Sequence, residues 1–236
     1  MFNAIKSILG INQNDDLPKY SDVQAEDAAK VKQEDDVKLN LTTPLKIVMI
    51  LDESGSMQRI KNKMIDAIND FTKEQKEVKG RPATFTLVKF NHNINRVIEN
   101  VDINETQIMG EDDYLPTGST ALYEAIGETT KWLGNERDVL MVIVTDGQDN
   151  ASKTFNKSSI SSIINQKEQH QNWSYVYLSC DLNTATQGDG MGFATSRTSS
   201  NKQVDQADFG AYISTNVCKA VSNYRTKNVS VQSQLN

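Results

Sequence analysis

Three strand-length apolar runs constrain the fold more than any other feature of this chain: Leu45–Leu51, Val139–Val144 and Trp173–Leu178. A strand with one wet face alternates apolar and polar residues. A run that is apolar at nearly every position suits a strand buried on both faces, as in the middle of a parallel sheet. Between and after these runs the apolar residues change to helical spacing. Met57, Ile60, Met64, Ala67, Ile68 and Phe71 form one such series, and Leu122, Ala125, Ile126, Thr129, Trp132 and Leu133 a second. Ile160, Ile163 and Ile164 mark a helix over 158–170, and Phe209, Ile213, Val217, Ala220, Val221 and Tyr224 a long C-terminal one. Ala83–Phe90 and Ile94–Ile103 read as two more strands, the second at an edge and antiparallel to its neighbour. Strands alternating with helices predict βα units. The expected fold is α/β: a doubly wound, mainly parallel sheet with one antiparallel edge strand and helices on both faces.

The predicted domain runs from 44 to 228. Ahead of it, residues 1–43 read as a flexible acidic leader, with five lysines against eight acids, which accounts for half of the net charge of −6. Its scattered apolar residues keep no period and cannot offset the entropy cost of ordering. Phe2, Ile5, Ile8 and Leu9 give the leader a short amphipathic start. Three turns are marginal alone, and a single lysine, Lys6, argues against a membrane-surface anchor. The expectation is a helix that folds back or frays. Residues 229–236 are expected to be a disordered tail.

Composition removes several function classes. An acidic balance does not suit a nucleic-acid binder, which needs a basic face to displace counterions. Two cysteines, Cys180 and Cys218, make no disulfide framework and have no zinc-type spacing. No apolar run approaches membrane-spanning length and no secretory signal is visible. The expected compartment is the cytoplasm.

In doubly wound sheets, ligands bind outside the carboxyl ends of the strands. Two of the three apolar runs end there in an aspartate. The first leads into Asp52-Glu53-Ser54-Gly55-Ser56, the second into Thr145-Asp146-Gly147. Between them in sequence, Pro116-Thr117-Gly118-Ser119-Thr120 opens a helix. Each hydroxyl taken alone suits a helix N-cap, and Asp-Gly is a common turn pair. Capping does not predict Asp-x-Ser-x-Ser on the end of one buried strand together with a second strand-end aspartate. The set consists of hard oxygen donors, suited to Mg²⁺ rather than to zinc or copper.

Asp52-x-Ser54-x-Ser56, Thr120 and Asp146 resemble the metal-ion-dependent adhesion site of von Willebrand factor A-type domains. The resemblance covers residues 44–226, and the wording of the motifs is similar to stand-alone bacterial and phage members. It implies the α/β fold already expected and five metal-site residues: Asp52, Ser54, Ser56, Thr120 and Asp146. By the resemblance Ser54 and Ser56 bind the ion directly, Thr120 binds it in the ligand-engaged state, and the two aspartates act largely through water. The cofactor implied is Mg²⁺, with Mn²⁺ or Ca²⁺ in its place, and the partner a protein supplying an Asp or Glu. Glu53 and Asp149 have no ligand role in the motif and are expected to tune local charge.

Two other functions stay open. One is a metal-dependent hydrolase or phosphotransferase, since an ion at a sheet edge can activate water. It has little support: His92 and His170 lie outside the strand-end motifs, and neither a serine elbow nor a P-loop is present. The other is a structural subunit of a larger assembly, with no need of metal. The predicted function is a non-enzymatic, cation-dependent interaction module.

Overall fold

The computed structural model describes residues 42–179, 188–191, 200–205, 207–227 and 232–235. The expectations for the leader and for Cys180 lie outside the described residues. β1 (Leu45–Asp52) leads through a 3₁₀ turn (Gly55–Ile60) into α1 (Lys61–Glu77), followed by β2 (Ala83–Phe90) and β3 (Ile94–Asp102). Then come α2 (Leu122–Leu133), β4 (Val139–Thr145), α3 (Lys157–Gln171), β5 (Ser174–Ser179) and β6 (Ser200–Gln203). The C-terminal helix is α4 (Phe209–Tyr212), a π-helical turn (Ile213–Val217) and α5 (Cys218–Lys227), so the single long helix expected there has a π segment inside it.

The six strands lie in the order β3-β2-β1-β4-β5-β6. All pairs are parallel except β2 with β3, which makes β3 the antiparallel edge strand that was expected. β6 was not foreseen; Ser200-Asn201-Lys202-Gln203 carries no apolar pattern and is placed by its pairing with β5.

The apolar runs divide their side chains between two cores. Ile47, Met49 and Leu51 of β1, with Leu140, Val142 and Val144 of β4, face the core that includes α1 and α5 residues. Val48, Ile50, Met141 and Ile143 face the opposite core, against Leu122, Ala125, Ile126, Ile160 and Ile164. Burial on both faces explains why these strands lack alternation. Trp132, expected in the inner face of α2, is instead partly exposed, and the Arg96 guanidinium of β3 stands over its ring at 4.9 Å. Residues 232–235 depart from the expected disordered tail: they form α6 (Gln232–Leu235), whose Leu235 is buried in the first core. Asn223 Nδ2 also donates to Gln234 Oε1 at 2.6 Å, so the turn is held by a polar bond as well as by Leu235. Among the described residues no helix is long and apolar enough to cross a membrane.

Cys218 is fully buried, and its thiol lies 3.3 Å from Glu74 Oε2. Burial pushes this thiol up to about 12. Thiolate is the reactive form, so Cys218 is expected to resist iodoacetamide in the native chain at pH 8 and to react on unfolding. Peptide mapping of the alkylated protein checks this.

Candidate metal centre

β1 and β4 are adjacent and parallel, with Leu51 opposite Val144. Their carboxyl ends therefore deliver Asp52 and Asp146 to the same edge of the sheet. Asp52 is fully buried, and its two oxygens are used differently: Oδ1 accepts the Ser54 N–H at 2.7 Å, and Oδ2 accepts the Thr145 hydroxyl at 2.6 Å. The first bond turns the chain sharply after the strand, and the second ties β1 to β4. Burial pushes the Asp52 carboxyl up to about 6, against the Thr145 and Ser54 donors that lower it; the like charge of Asp146 adds to the rise.

The hydroxyls do not cap helices. Ser54 occupies the N-cap position of the 3₁₀ turn yet makes no side-chain capping bond. Its Oγ lies 3.2 Å from Ser56 Oγ instead, and Ser56 Oγ donates in turn to Asp146 Oδ1. At α2 the N-cap is Ala121, not Thr120. Thr120 points its hydroxyl toward the Asp146 loop: a Cβ placed on Gly147 would meet Thr120 Oγ1 at 3.3 Å and Ser56 Oγ at 3.8 Å. The absent side chain of Gly147 leaves a space between two hydroxyls that belong to different loops.

The surrounding loops are interlocked. Gly55 N–H donates to Gly118 O at 3.0 Å and Thr117 N–H to Glu53 O at 2.8 Å. Ala121 N–H donates to Asn91 O at 2.8 Å, and the buried Tyr114 hydroxyl donates to Asp52 O at 2.5 Å. Glu53 and Asp149, expected to tune charge, instead hold loops together. Glu53 Oε1 takes the Lys89 ammonium at 2.8 Å and the Leu115 N–H at 2.8 Å. Asp149 Oδ1 accepts the Tyr123 N–H and the Ser152 hydroxyl.

The structure thus gathers the five predicted residues, from β1, the 3₁₀ turn, the α2 entrance and the end of β4. One further residue, exposed as a hairpin residue should be, packs against the segment before Thr120. His92, in the β2–β3 hairpin, lies against Gly118, so that a Cβ there would meet its Nδ1 at 2.4 Å; Gly118 has φ +75°, which glycine accepts without strain. Only the pairing of loops distant in sequence brings this imidazole against Gly118.

The donor set fits a divalent cation. It offers two carboxylates and three hydroxyls, all hard oxygens. The buried carboxylate of Asp52 is held above its ordinary range, so a positive charge nearby would relieve it. The Thr120 and Ser56 hydroxyls lie 3.3 and 3.8 Å from the position a Cβ on Gly147 would take, so both approach the same spot.

Residues 47–148 match the family model of the von Willebrand factor type A domain. No curated protein matches the chain. Among solved structures, a von Willebrand factor type A protein from Catenulispora acidiphila superposes with a TM-score of 0.55 at 13% identity, over 77% of this chain and 42% of that one. The mussel byssus proximal thread matrix protein 1 with a zinc-occupied adhesion-site motif gives 0.52 at 15% identity, over 74% and 47%. The PilB minor pilin of Streptococcus sanguinis gives 0.56 at 13% identity, over 78% and 62%. At such identities the likeness is one of fold, and this chain spans less than two thirds of each relative's length.

Proposed function

We propose that this chain is a non-catalytic interaction module of the von Willebrand factor A type, similar to stand-alone bacterial and phage members. In this reading residues 44–228 form the binding domain and 1–43 a leader outside it. Ser54, Ser56 and Thr120 would hold Mg²⁺ through their hydroxyls, with Asp52 and Asp146 behind them. The observation that carries the reading is that these hydroxyls are turned away from helix capping and toward one another and Asp146. A relative of the same fold with zinc at its adhesion-site motif supports a divalent cation there; the oxygen donors of this chain favour Mg²⁺ over zinc.

Bound there, the ion supplies a positive centre that can accept an Asp or Glu carboxylate from a protein partner. The residues of this chain do the rest. Asp52 fixes the Ser54 backbone and Asp146 fixes the Ser56 hydroxyl, so the donors need little reorganisation. Leu115, an exposed apolar residue on the loop held by Glu53, offers a partner contact beside the charge.

The test is capture of partners from a lysate on immobilised full chain, with EDTA, with EDTA followed by excess Mg²⁺, and untreated. Partners should be lost in EDTA and return with Mg²⁺. Capture indifferent to EDTA overturns the metal-bridged reading. His92, packed on Gly118 two residues before Thr120, is the imidazole the hydrolase alternative would use as a base. Metal-dependent turnover of phosphoester model substrates that is lost in His92→Ala would favour that alternative; its absence in a chain that binds Mg²⁺ would retire it.

A further inference from the structure

We propose that Asn150 and Glu124 are positioning residues that lock Thr120 to the Asp146 loop, so that these two parts of the centre move as one body. The proposal rests on the metal-centre reading above for its consequence, but its geometry stands independently. Thr120 N–H donates to Asn150 Oδ1 at 2.8 Å, while Thr120 O accepts the N–H groups of Asn150 and Ala151 at 2.9 and 3.1 Å. The first N–H groups of a helix have no partner within it, and the N-cap of α2 is an alanine with no side chain to offer. The loop after Asp146 supplies the acceptors. Tyr123 N–H reaches Asp149 Oδ1 at 3.2 Å and Glu124 N–H reaches Ser152 Oγ at 3.0 Å.

The helix answers in the other direction. The Glu124 carboxylate accepts three consecutive backbone N–H groups of that loop, from Lys153 at 3.2 Å, Thr154 at 2.7 Å and Phe155 at 2.9 Å. Burial raises this carboxyl, but the donors of Phe155, Thr154 and Lys153 outweigh it and hold it below its ordinary value. The Phe155 ring then lies on Gly127, where a Cβ would come within 2.5 Å of it. Loop and helix entrance therefore exchange bonds both ways across some thirty residues of sequence.

The consequence concerns how the centre can change. Ser54 and Ser56 ride on the β1 loop, which meets the Thr120 segment through Gly55–Gly118 and Glu53–Thr117 backbone bonds. Thr120 and the 149–155 loop that follows Asp146 share the latch of side chains, while the β1 loop reaches Asp146 through the Ser56 hydroxyl. A rearrangement of the centre would keep Thr120 with the loop that follows Asp146, and a shift of the β1 loop against them would have to break the Ser56–Asp146 bond. The latch also explains why the Thr120 hydroxyl stays aimed at Gly147 with no capping role to hold it.

The experiment compares the full-length chain with Asn150→Ala and Asn150→Asp, the second of which keeps Oδ1 as an acceptor. Two readouts are taken: hydrogen exchange of the Thr120 amide without metal, and Mg²⁺ affinity by calorimetry. Asn150→Ala should speed Thr120 exchange and weaken Mg²⁺ binding by about tenfold, at the lower end of losses seen when a residue supporting a metal ligand is removed. Asn150→Asp should restore both to within about threefold of wild type. Unchanged Thr120 exchange in Asn150→Ala, or equal loss in both variants, overturns the latch. If Asn150→Ala fails to fold, Glu124→Gln takes its place: faster exchange of the 153–155 amides with weaker Mg²⁺ binding supports the latch, and neither change overturns it. A wild-type chain that binds no Mg²⁺ overturns the metal-centre reading, while the exchange data still decide the latch.

Discussion

Replacing Asp52 by Asn is expected to abolish the response to Mg²⁺ while making the cation-free chain more stable at neutral pH. Asn keeps the size and both contacts of the aspartate: its oxygen can accept the Ser54 N–H, and its amide can donate to Thr145 Oγ. What it removes is a buried negative charge beside Asp146. Burial raises the Asp52 carboxyl from 3.8 to about 6, a shift that corresponds to roughly 3 kcal/mol of cost for holding it ionised. Because the folded chain takes up the proton more readily than the unfolded one, the Asp52 contribution is fully present below about pH 4. It is lost as pH rises through about 6. Thermal melts in EDTA should therefore show the wild type losing stability between about pH 4 and 6 relative to Asp52→Asn. With Mg²⁺ at pH 7 the order should reverse, since only the wild type gains binding energy. An Asp52→Asn chain still stabilised by Mg²⁺ as strongly as wild type would show that the carboxylate does not serve the ion.

The second large effect lies at the other end of the strands. Arg225 is buried, 3% exposed, and its guanidinium is spent on backbone and amide oxygens: Nε donates to Arg81 O at 3.0 Å and Nη1 to Gln75 O and Oε1 at 2.5 and 3.0 Å. Burial holds its pKa below the ordinary arginine value. Arg81 N–H returns a bond to Arg225 O at 2.9 Å, and Gly80 packs so closely on that carbonyl that a Cβ would sit 2.7 Å away. This cluster ties the C-terminal helix to the start of β2. Arg225→Ala would leave several buried acceptors without donors and open a cavity. Stranded buried acceptors cost about 1–3 kcal/mol each, so the expected loss is at least about 3 kcal/mol. Chemical denaturation in EDTA measures it; a loss below about 1 kcal/mol would show that water replaces the guanidinium without penalty. Cation binding per ligand site should survive in the folded fraction, because the cluster lies at the opposite edge of the sheet from the centre.

How much of this was legible in the residues differs element by element. β1, β4 and β5 were legible because burial on both faces leaves runs such as Ile47–Leu51 and Val139–Val144 with no polar position. β6 was not, since its residues carry no apolar pattern and the strand exists through pairing with β5. Trp132 sits at a helical repeat position but lies outside the core, with the Arg96 guanidinium of the edge strand over its ring. At the candidate centre, Asp52, Ser54, Ser56 and Asp146 were legible as residue types at strand ends, and Thr120 at a helix entrance. The bonds of Asn150 and Glu124 and the packing of His92 on Gly118 were not: they join loops remote in sequence, and no local spacing marks them.

The amino-acid sequence by itself determined the alternation of strands and helices, the parallel sheet buried on both faces and the placement of oxygen donors where two strands end. These follow from local chemistry, the period of apolar residues and the residue types at chain reversals. Tertiary structure alone decided that Ser54 and Thr120 leave capping aside, that Glu53 and Asp149 fasten loops, and that the α2 entrance and the Asp146 loop hold each other in place. The physical reason is that a hydroxyl or carboxylate has many possible partners nearby in sequence, and only the packing of distant loops selects which one it meets.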